Sequence, residues 1–495
     1  MALPRGIYLF CGFLINLMLG VIYSWSVFIG PLESIFGWNR AMSSGAFTLV
    51  VAFFAPGMLI GGQLLGKWGP RKVVWVGGIL LALGWILTSF GGAFAEEQYI
   101  FTDPTSKEWL GKEIHFDEVT FTNILKAPVT MTINGEKITL QPGESRTFKD
   151  ATVTVDNKGA LELIIHARGQ GFNLTTLYWL YLCYGIIGGI GIGLAYNVPI
   201  PIARNWFPDR TGLAVGLTVM GFGMGALFLA PPSVVLIYGM GWTYAFLILG
   251  VVFLFVVCGA GTVLRFPEPG WKPAGWEPPK PVEPEKAKIH ITVRDWEWRE
   301  MIKTKQFWML WFWYWFMAAA GLLTIGHMKV VAKEYGADLP MMGTTAGVLA
   351  VGLLSLFNGL GRPGFGGLSD KIGRRSALML DAALMTVMMY IFLGLVSALG
   401  VAGVFIAVIL VGLAYGGVLA LMPTYCADFF GTKNLGFNYA VLFTAWGAAG
   451  LLGPQLAGFI RAATGRYEVA YAASGTMCLI ALILAYLMKP PKPPE

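Results

Sequence analysis

Of the 495 residues, 56% are hydrophobic and only 13% are charged, with a formal net charge of +7. The apolar residues come in long runs broken by short basic or Pro-rich segments, which is the composition of a polytopic membrane protein and excludes a soluble globular core. The positive excess gives no ground for nucleic-acid binding, because the bases are confined to those breaks.

The first apolar run covers residues 7–30 and shows no small-residue cleavage site before the next one, so it is expected to be a retained helix. Runs of about 20 residues suit a helix crossing a roughly 30 Å hydrocarbon layer, and two more follow at 42–65 and 73–94. Residues 95–173 interrupt the pattern with 12 acids, 8 bases and no cysteine. Within them, "VTMTINGEKITL" places Asn134-Gly135 at a hairpin turn, and "ATVTVDNKGALELII" is expected to turn at Asn157 to Gly159. We read a small β-rich insertion with no His cluster or nucleophile constellation, which shields, gates or contacts a protein partner.

Three further runs follow at 174–201, 212–237 and 241–265. "FPEPGWKPAGWEPPKPVEPEKAK" then reads as an extended linker too rich in Pro to pack, and "VRDWEWREMIKTKQFW" as a short helix on the membrane surface. The last six runs lie at 306–328, 342–366, 376–398, 400–424, 436–460 and 467–488. The expected fold is therefore all-α and polytopic, with 12 transmembrane helices. Its divisions are 1–94, the insertion 95–173, 174–266, the linker 267–304 and the second half 305–495.

Lys and Arg in short loops set orientation. With the N-terminus inside, the inner segments carry 21 of them and the short outer loops five. Both termini are thus expected in the cytoplasm, the insertion outside, and the chain in the cytoplasmic (inner) membrane. Cys11, Cys183, Cys258, Cys426 and Cys478 lie in apolar runs without paired spacing and read as small hydrophobes. No metal or cofactor signature appears, and the absence of P-loop, H-E-x-x-H and G-x-S-x-G motifs argues against an enzyme.

The chain also repeats itself. "GQLLGKWGPRK" from Gly62 aligns with "GGLSDKIGRRS" from Gly366, so that Gly69 answers Gly373 and Arg71 answers Arg375. "WFPDRTG" from Trp206 aligns with "FFGTKNL" from Phe429. Two six-helix halves are implied, and the distance from Gly62 to Phe207 exceeds that from Gly366 to Phe430 by 81 residues, the size of the insertion.

"GGLSDKIGRR" resembles the loop motif G-x-x-x-D-[RK]-x-G-[RK]-[RK] of the major facilitator superfamily, matched at Gly366, Asp370, Lys371, Gly373, Arg374 and Arg375. The first-half copy departs, with Gly66 in place of the acid and Pro70 in place of a base. "NWFPDRTGLAVGLTVMG" is similar to the segment before the fifth helix of monocarboxylate transporters. "GVIYSWSVFIGPLESIFGW", "GLLTIGHM" and "NYAVLFTAWGAAGLLGP" resemble the oxalate/formate antiporter family. The resemblance implies a secondary transporter of small monocarboxylate anions (lactate-, pyruvate- or formate-like) working by alternating access. It would act as a monomer, by proton symport or anion exchange. The alternatives are an oxalate/formate-type antiporter and a carboxylate-sensing transceptor whose insertion binds a ligand.

Arg362 is the leading candidate for the substrate site. Asn358 and Arg362 are spaced i, i+4 on one helix face, with Pro363 beside them, and a guanidinium offers two parallel donors to a carboxylate. The monocarboxylate carriers show D-x-x-x-R-P-x-x-G here, and Asn358 stands in place of their acid. Snorkelling of Arg362 to the nearby membrane face is the competing reading. His327 in "IGHMK" is a residue the family shows and can donate to a carboxylate or carry a proton. Tyr196, Asn197 and Tyr415 interrupt Gly-rich runs and can orient a small hydroxy- or oxo-acid, with Tyr23 as a wall residue. The dicarboxylate-handling members pair the eighth-helix Arg with a Lys in the eleventh, whereas Ala440 to Gly458 contains no Lys or Arg, which favours a monocarboxylate. A gate at the inner face is expected from Asp370, Lys371, Arg374, Arg375, Arg71 and Arg210, with Asp370 bound to a base or a helix N-terminus.

Overall fold

The computed structural model describes residues 4–36, 38, 40–94, 113–123, 129–141, 144–154, 163–167, 174–277, 292, 294–341, 344–464 and 466–491. Among them, 11 helices are long and apolar enough to cross a membrane. In chain order these are α1 (Arg5–Glu33), α2 (Met42–Trp68), α3 (Pro70–Gly92), α4 (Leu174–Trp206), α5 (Thr211–Met240) and α6 (Trp242–Val263). The second set is α7 (Lys305–Met328), α8 (Ala346–Ile372), α9 (Arg374–Leu399), α10 (Val401–Phe430) and α12 (Tyr467–Leu487). The remaining expected span falls on α11 (Leu435–Thr464), whose described apolar portion runs Leu435–Leu451.

Several helices are broken where the sequence demands it. α1 tightens to a 3₁₀ turn over Gly20–Ser24, where it meets α5: a side chain at Gly20 would run into the Phe222 carbonyl. α4 widens to π geometry over Tyr181–Gly188, then turns at Asn197 before restarting at Pro199, which has no N–H to continue the ladder. The aligned loop glycines Gly69 and Gly373 share one backbone conformation, with φ of 77° and 89°, each capping the start of the next helix. Left-handed φ at both positions is what a β-carbon would resist, so the repeat is physical as well as textual.

Between α3 and α4 lie five strands: β1 (Glu113–Asn123), β2 (Val129–Ile133), β3 (Glu136–Leu140), β4 (Ser145–Thr154) and β5 (Leu163–Ala167). Their order is β3-β2-β4-β1-β5. β2 and β3 pair with Val129 opposite Leu140 around Asn134-Gly135, whose φ values of 52° and 82° suit a tight hairpin. The second expected hairpin needs correction. Its turn at Asn157 to Gly159 lies outside the described residues, but β5 pairs with β1, which separates it from β4. A connection of eight residues is longer than a tight hairpin loop, and it leaves room to pass β1.

The linker also departs from expectation, because its first part packs. Trp271 sets its ring edge-on to Trp206, centroids 4.7 Å apart. Its last part is strapped to the α10–α11 turn: Thr292 N–H donates to Asp428 O at 2.9 Å, Trp296 N–H to Phe430 O at 2.9 Å, and Asp295 accepts from the Thr432 and Lys433 amides. The surface helix is a single turn, Trp298–Met301, closed by a Glu297/Glu300 capping box.

Candidate functional site

Arg362 is fully buried, which removes the snorkelling alternative. Its Nη1 donates to Val219 O of α5 at 2.7 Å, its Nη2 reaches Asn358 Oδ1 at 3.5 Å, and its Nε has no partner. The guanidinium lies 5.5 Å from the Phe222 ring centre. Among the described residues no carboxylate forms an ion pair with it. Glycine makes the approach of α5 and α8 possible: a β-carbon at Gly216 would lie 2.5 Å from Arg362 O, and one at Gly223 3.0 Å from Arg362 Nε. Gly359 and Gly366 face the same seam.

Around the guanidinium stands a ring of tyrosines. Its charge acts on the hydroxyls of Tyr23, Tyr196, Tyr415 and Tyr439, which come from α1, α4, α10 and α11. The Tyr415 hydroxyl accepts from Trp446 Nε1 at 2.9 Å. Those of Tyr23, Tyr196, Tyr439 and the neighbouring Tyr314 make no well-formed hydrogen bond. Tyr439 escaped the sequence reading, since a tyrosine in an aromatic-rich span looks like packing until its hydroxyl is seen to face a charge, and so did Tyr314, which faces the Tyr439 hydroxyl.

A small pocket of about 20 Å³ opens one turn further along α8, lined by Tyr23, Ala226, Ile325, Met328, Val351, Leu354, Ser355 and Asn358. Ser355 is fixed by donating to Gly223 O at 2.9 Å. The pocket is apolar at its walls and polar at the end nearest Arg362.

Two expected members stand apart from this cluster. Asn197 donates to Met58 O at 3.2 Å and to Gly436 O at 2.6 Å, so its amide ties α4 to α2 and α11 across the bundle. His327 is half-buried and meets the Tyr467 hydroxyl through Nδ1 at 3.1 Å; its neighbours Ile325 and Met328 line the cavity, and it does not.

At the end of the bundle that carries the α8–α9 turn, a charge network closes the structure. Asp370 accepts from the Gly212 and Leu213 amides, both at 3.0 Å, at the N-terminus of α5, and from Arg374 at 2.7 Å. Arg374 also donates to Asp428 at 2.8 Å, to Ser369 at 2.5 Å and to Thr211 at 2.9 Å. Asp428 in turn accepts from Arg204 of α4 at 2.6 Å. The network thus joins α4 and α5 to α8, α9 and α10, with Arg204, Asp428 and Arg374 at most 6% exposed. Arg204 and Asp428 were missed because 224 residues separate them. One signal existed: Asp428 is the only charge in the α10 run.

The other expected gate residues take no part in these bonds. Arg375 donates to Tyr486 O and covers its ring at 5.1 Å, binding α9 to α12. Lys371, Arg71 and Arg210 are exposed, and it is Asp209, beside Arg210, that pairs with Arg5 at 2.7 Å. The first-half loop cannot copy the lock, since Gly66 and Pro70 replace an acid and a base.

A sequence profile of the Major Facilitator Superfamily matches residues 167–454 and 323–495. The chain is 28% identical over 494 residues to the oxalate:formate antiporter of Oxalobacter formigenes, covering 98% of this chain and 92% of that protein. It is 26% identical over 332 residues to monocarboxylate transporter 12 of Xenopus laevis, covering 64% and 69% respectively. Its fold resembles that of the xylose transporter XylE from E. coli in a partially occluded inward-open conformation, with a TM-score of 0.60, 12% identity and coverage of 99% and 100%. Apolar spanning helices, this fold and a match across more than half its length make the chain a multi-pass transporter, and no enzyme, of the Major Facilitator Superfamily.

Proposed function

We propose that the chain carries small monocarboxylate anions, of the lactate, pyruvate or formate kind, across the cytoplasmic membrane. Twelve spans in two six-helix halves rock about the Arg362 cluster, with both termini cytoplasmic and the 95–173 insertion outside. The observation that carries this reading is a fully buried guanidinium with no carboxylate partner among the described residues, its Nε without a hydrogen bond, and the Tyr23, Tyr196 and Tyr439 hydroxyls near it without well-formed ones. A charge in a span costs about 2.5–3.5 kcal/mol on insertion scales, and an anionic cargo offsets that while it is bound. Asn358 supplies an amide oxygen at 3.5 Å and no charge, so the cargo meets no built-in competitor on that turn. Asp370 and its partners form the inner gate, and opening requires Asp370 to release the α5 amides, Arg374 to release Thr211 and Asp428 to release Arg204.

Oxalate:formate exchange is the second reading, favoured by the similarity to the oxalate:formate antiporter of Oxalobacter formigenes. Against it, Ala440 to Gly458 brings no second cation to the cluster. Uptake of labelled lactate, pyruvate, formate and oxalate into proteoliposomes, each competed by the others, separates the two. Monocarboxylate transport is expected with weak competition by oxalate, and uptake unaffected by Arg362→Lys would refute the site.

A further inference from the structure

A second charged group lies buried away from the Arg362 cluster and is used by none of the contacts above. Asp381 of α9 is 0% exposed, and neither carboxyl oxygen has a hydrogen-bond partner. It sits in the seam between α9, α10 and α12. A β-carbon at Gly417 of α10 would lie 2.9 Å from its Oδ1, and the Cys478 thiol of α12 interacts with it.

Placement ties this carboxyl to the gate. Asp381 follows Arg374 by seven residues, two turns and about 10 Å along the same face of α9. On α10, Gly417 precedes Asp428 by three turns, so the seam held shut by Arg374 and Asp428 is the seam that seals Asp381. The charged groups on the surrounding helices are committed elsewhere. Arg362 and Asp370 of α8 bind Val219 and the α5 N-terminus; Tyr415, Tyr425 and Asp428 of α10 interact with Arg362, Arg374 and Arg204. Among the described residues no group gives either carboxyl oxygen of Asp381 a hydrogen bond.

An ionised carboxylate without water, donor or cation costs several kcal/mol or more, and a buried acid escapes that cost by taking up a proton. We propose that Asp381 is the proton-binding site of this carrier. Its carboxylate takes one proton from water when the α9–α10 seam is open, holds it as the acid while the seam is sealed, and returns it to water at the next opening. One proton carried with one monovalent anion makes the translocated pair electroneutral. The coupling rests on the carboxylate-carrier reading above, whereas proton occupancy does not.

Two measurements on the full chain test this separately. In lipid at neutral pH, infrared spectroscopy is expected to show a protonated-carboxyl C=O band that disappears in Asp381→Asn and returns, shifted, in Asp381→Glu. An unchanged band in Asp381→Asn overturns the proposal, and Asp381→Glu decides the point if the amide variant fails to fold. In proteoliposomes, accumulation of labelled lactate by the wild type should rise up to about tenfold per unit of imposed pH gradient. Asp381→Asn should lose that response and Asp381→Glu should keep it. An Asp381→Asn protein that follows the gradient as the wild type does overturns the coupling. If the wild type transports none of the four anions, the carrier reading fails while the infrared measurement still decides proton binding.

Discussion

Arg362 carries the proposed site because its hydrogen bonds leave it incomplete. Two of its nitrogens touch neutral oxygens and the third has no hydrogen-bond partner. A bound carboxylate supplies charge-assisted contacts worth about 1.5–3 kcal/mol, so Arg362→Lys, which keeps charge but loses the fork, should reduce uptake roughly 10- to 100-fold at sub-saturating substrate. Asn358→Asp offers a sharper test. It places a permanent counterion one turn from the guanidinium, and anion uptake at neutral pH should fall although no contact to the cargo is removed. Uptake equal to wild type in Asn358→Asp would mean that the cargo does not use Arg362. Arg362 and Asp370 were legible because a charge next to an apolar run must be explained locally. Asp381 passed unnoticed because a carboxyl without neighbours leaves no spacing to read, and Asn197 misled because its amide serves helix packing.

At the scale of elements, the α5–α8 contact organises both the site and its closure. Gly212 and Gly366 touch backbone to backbone, and the same pair of helices brings Arg362 to Val219 and Asp370 to the α5 amides. Asp370→Asn should weaken the hold on the α5 N-terminus by about 1–2 kcal/mol, and the Gly212 and Leu213 amides should exchange with deuterium roughly tenfold faster. Asp428→Ala leaves two guanidiniums buried without their shared acceptor and should cost about 3–5 kcal/mol, read as a lower thermal transition. Unchanged exchange in the first variant would place closure elsewhere. The helix runs themselves were plain in the sequence, since twenty apolar residues admit few structures in lipid. The strand order in the insertion was not, because a hairpin forecast sees neighbours in sequence and β1 intervenes in space.

For the whole molecule, the two matching loops with their left-handed glycines, Gly69 and Gly373, frame a bundle whose halves meet through unequal locks. Only the second half supplies the acid, so closure is asymmetric and rests on Asp370, Arg374 and Asp428. Among the described residues the five strands give none of the contacts at the Arg362 cluster or in the closing network. Its deletion, residues 95–173 replaced by a short flexible linker, should therefore leave lactate uptake within about twofold of wild type; abolished uptake with the protein intact in the membrane would favour the sensing alternative. Sequence by itself determined that this is a helical membrane carrier built from a repeated half, and it singled out an arginine and a loop acid, because burial of a charge and the length of an apolar run are properties of local composition. Only the tertiary structure decided that Asp428 joins Arg204 to Arg374, that tyrosines from four helices face one guanidinium and that Asp381 is buried without a hydrogen bond. Those relations exist between helices tens to hundreds of residues apart, where packing geometry sets the partners.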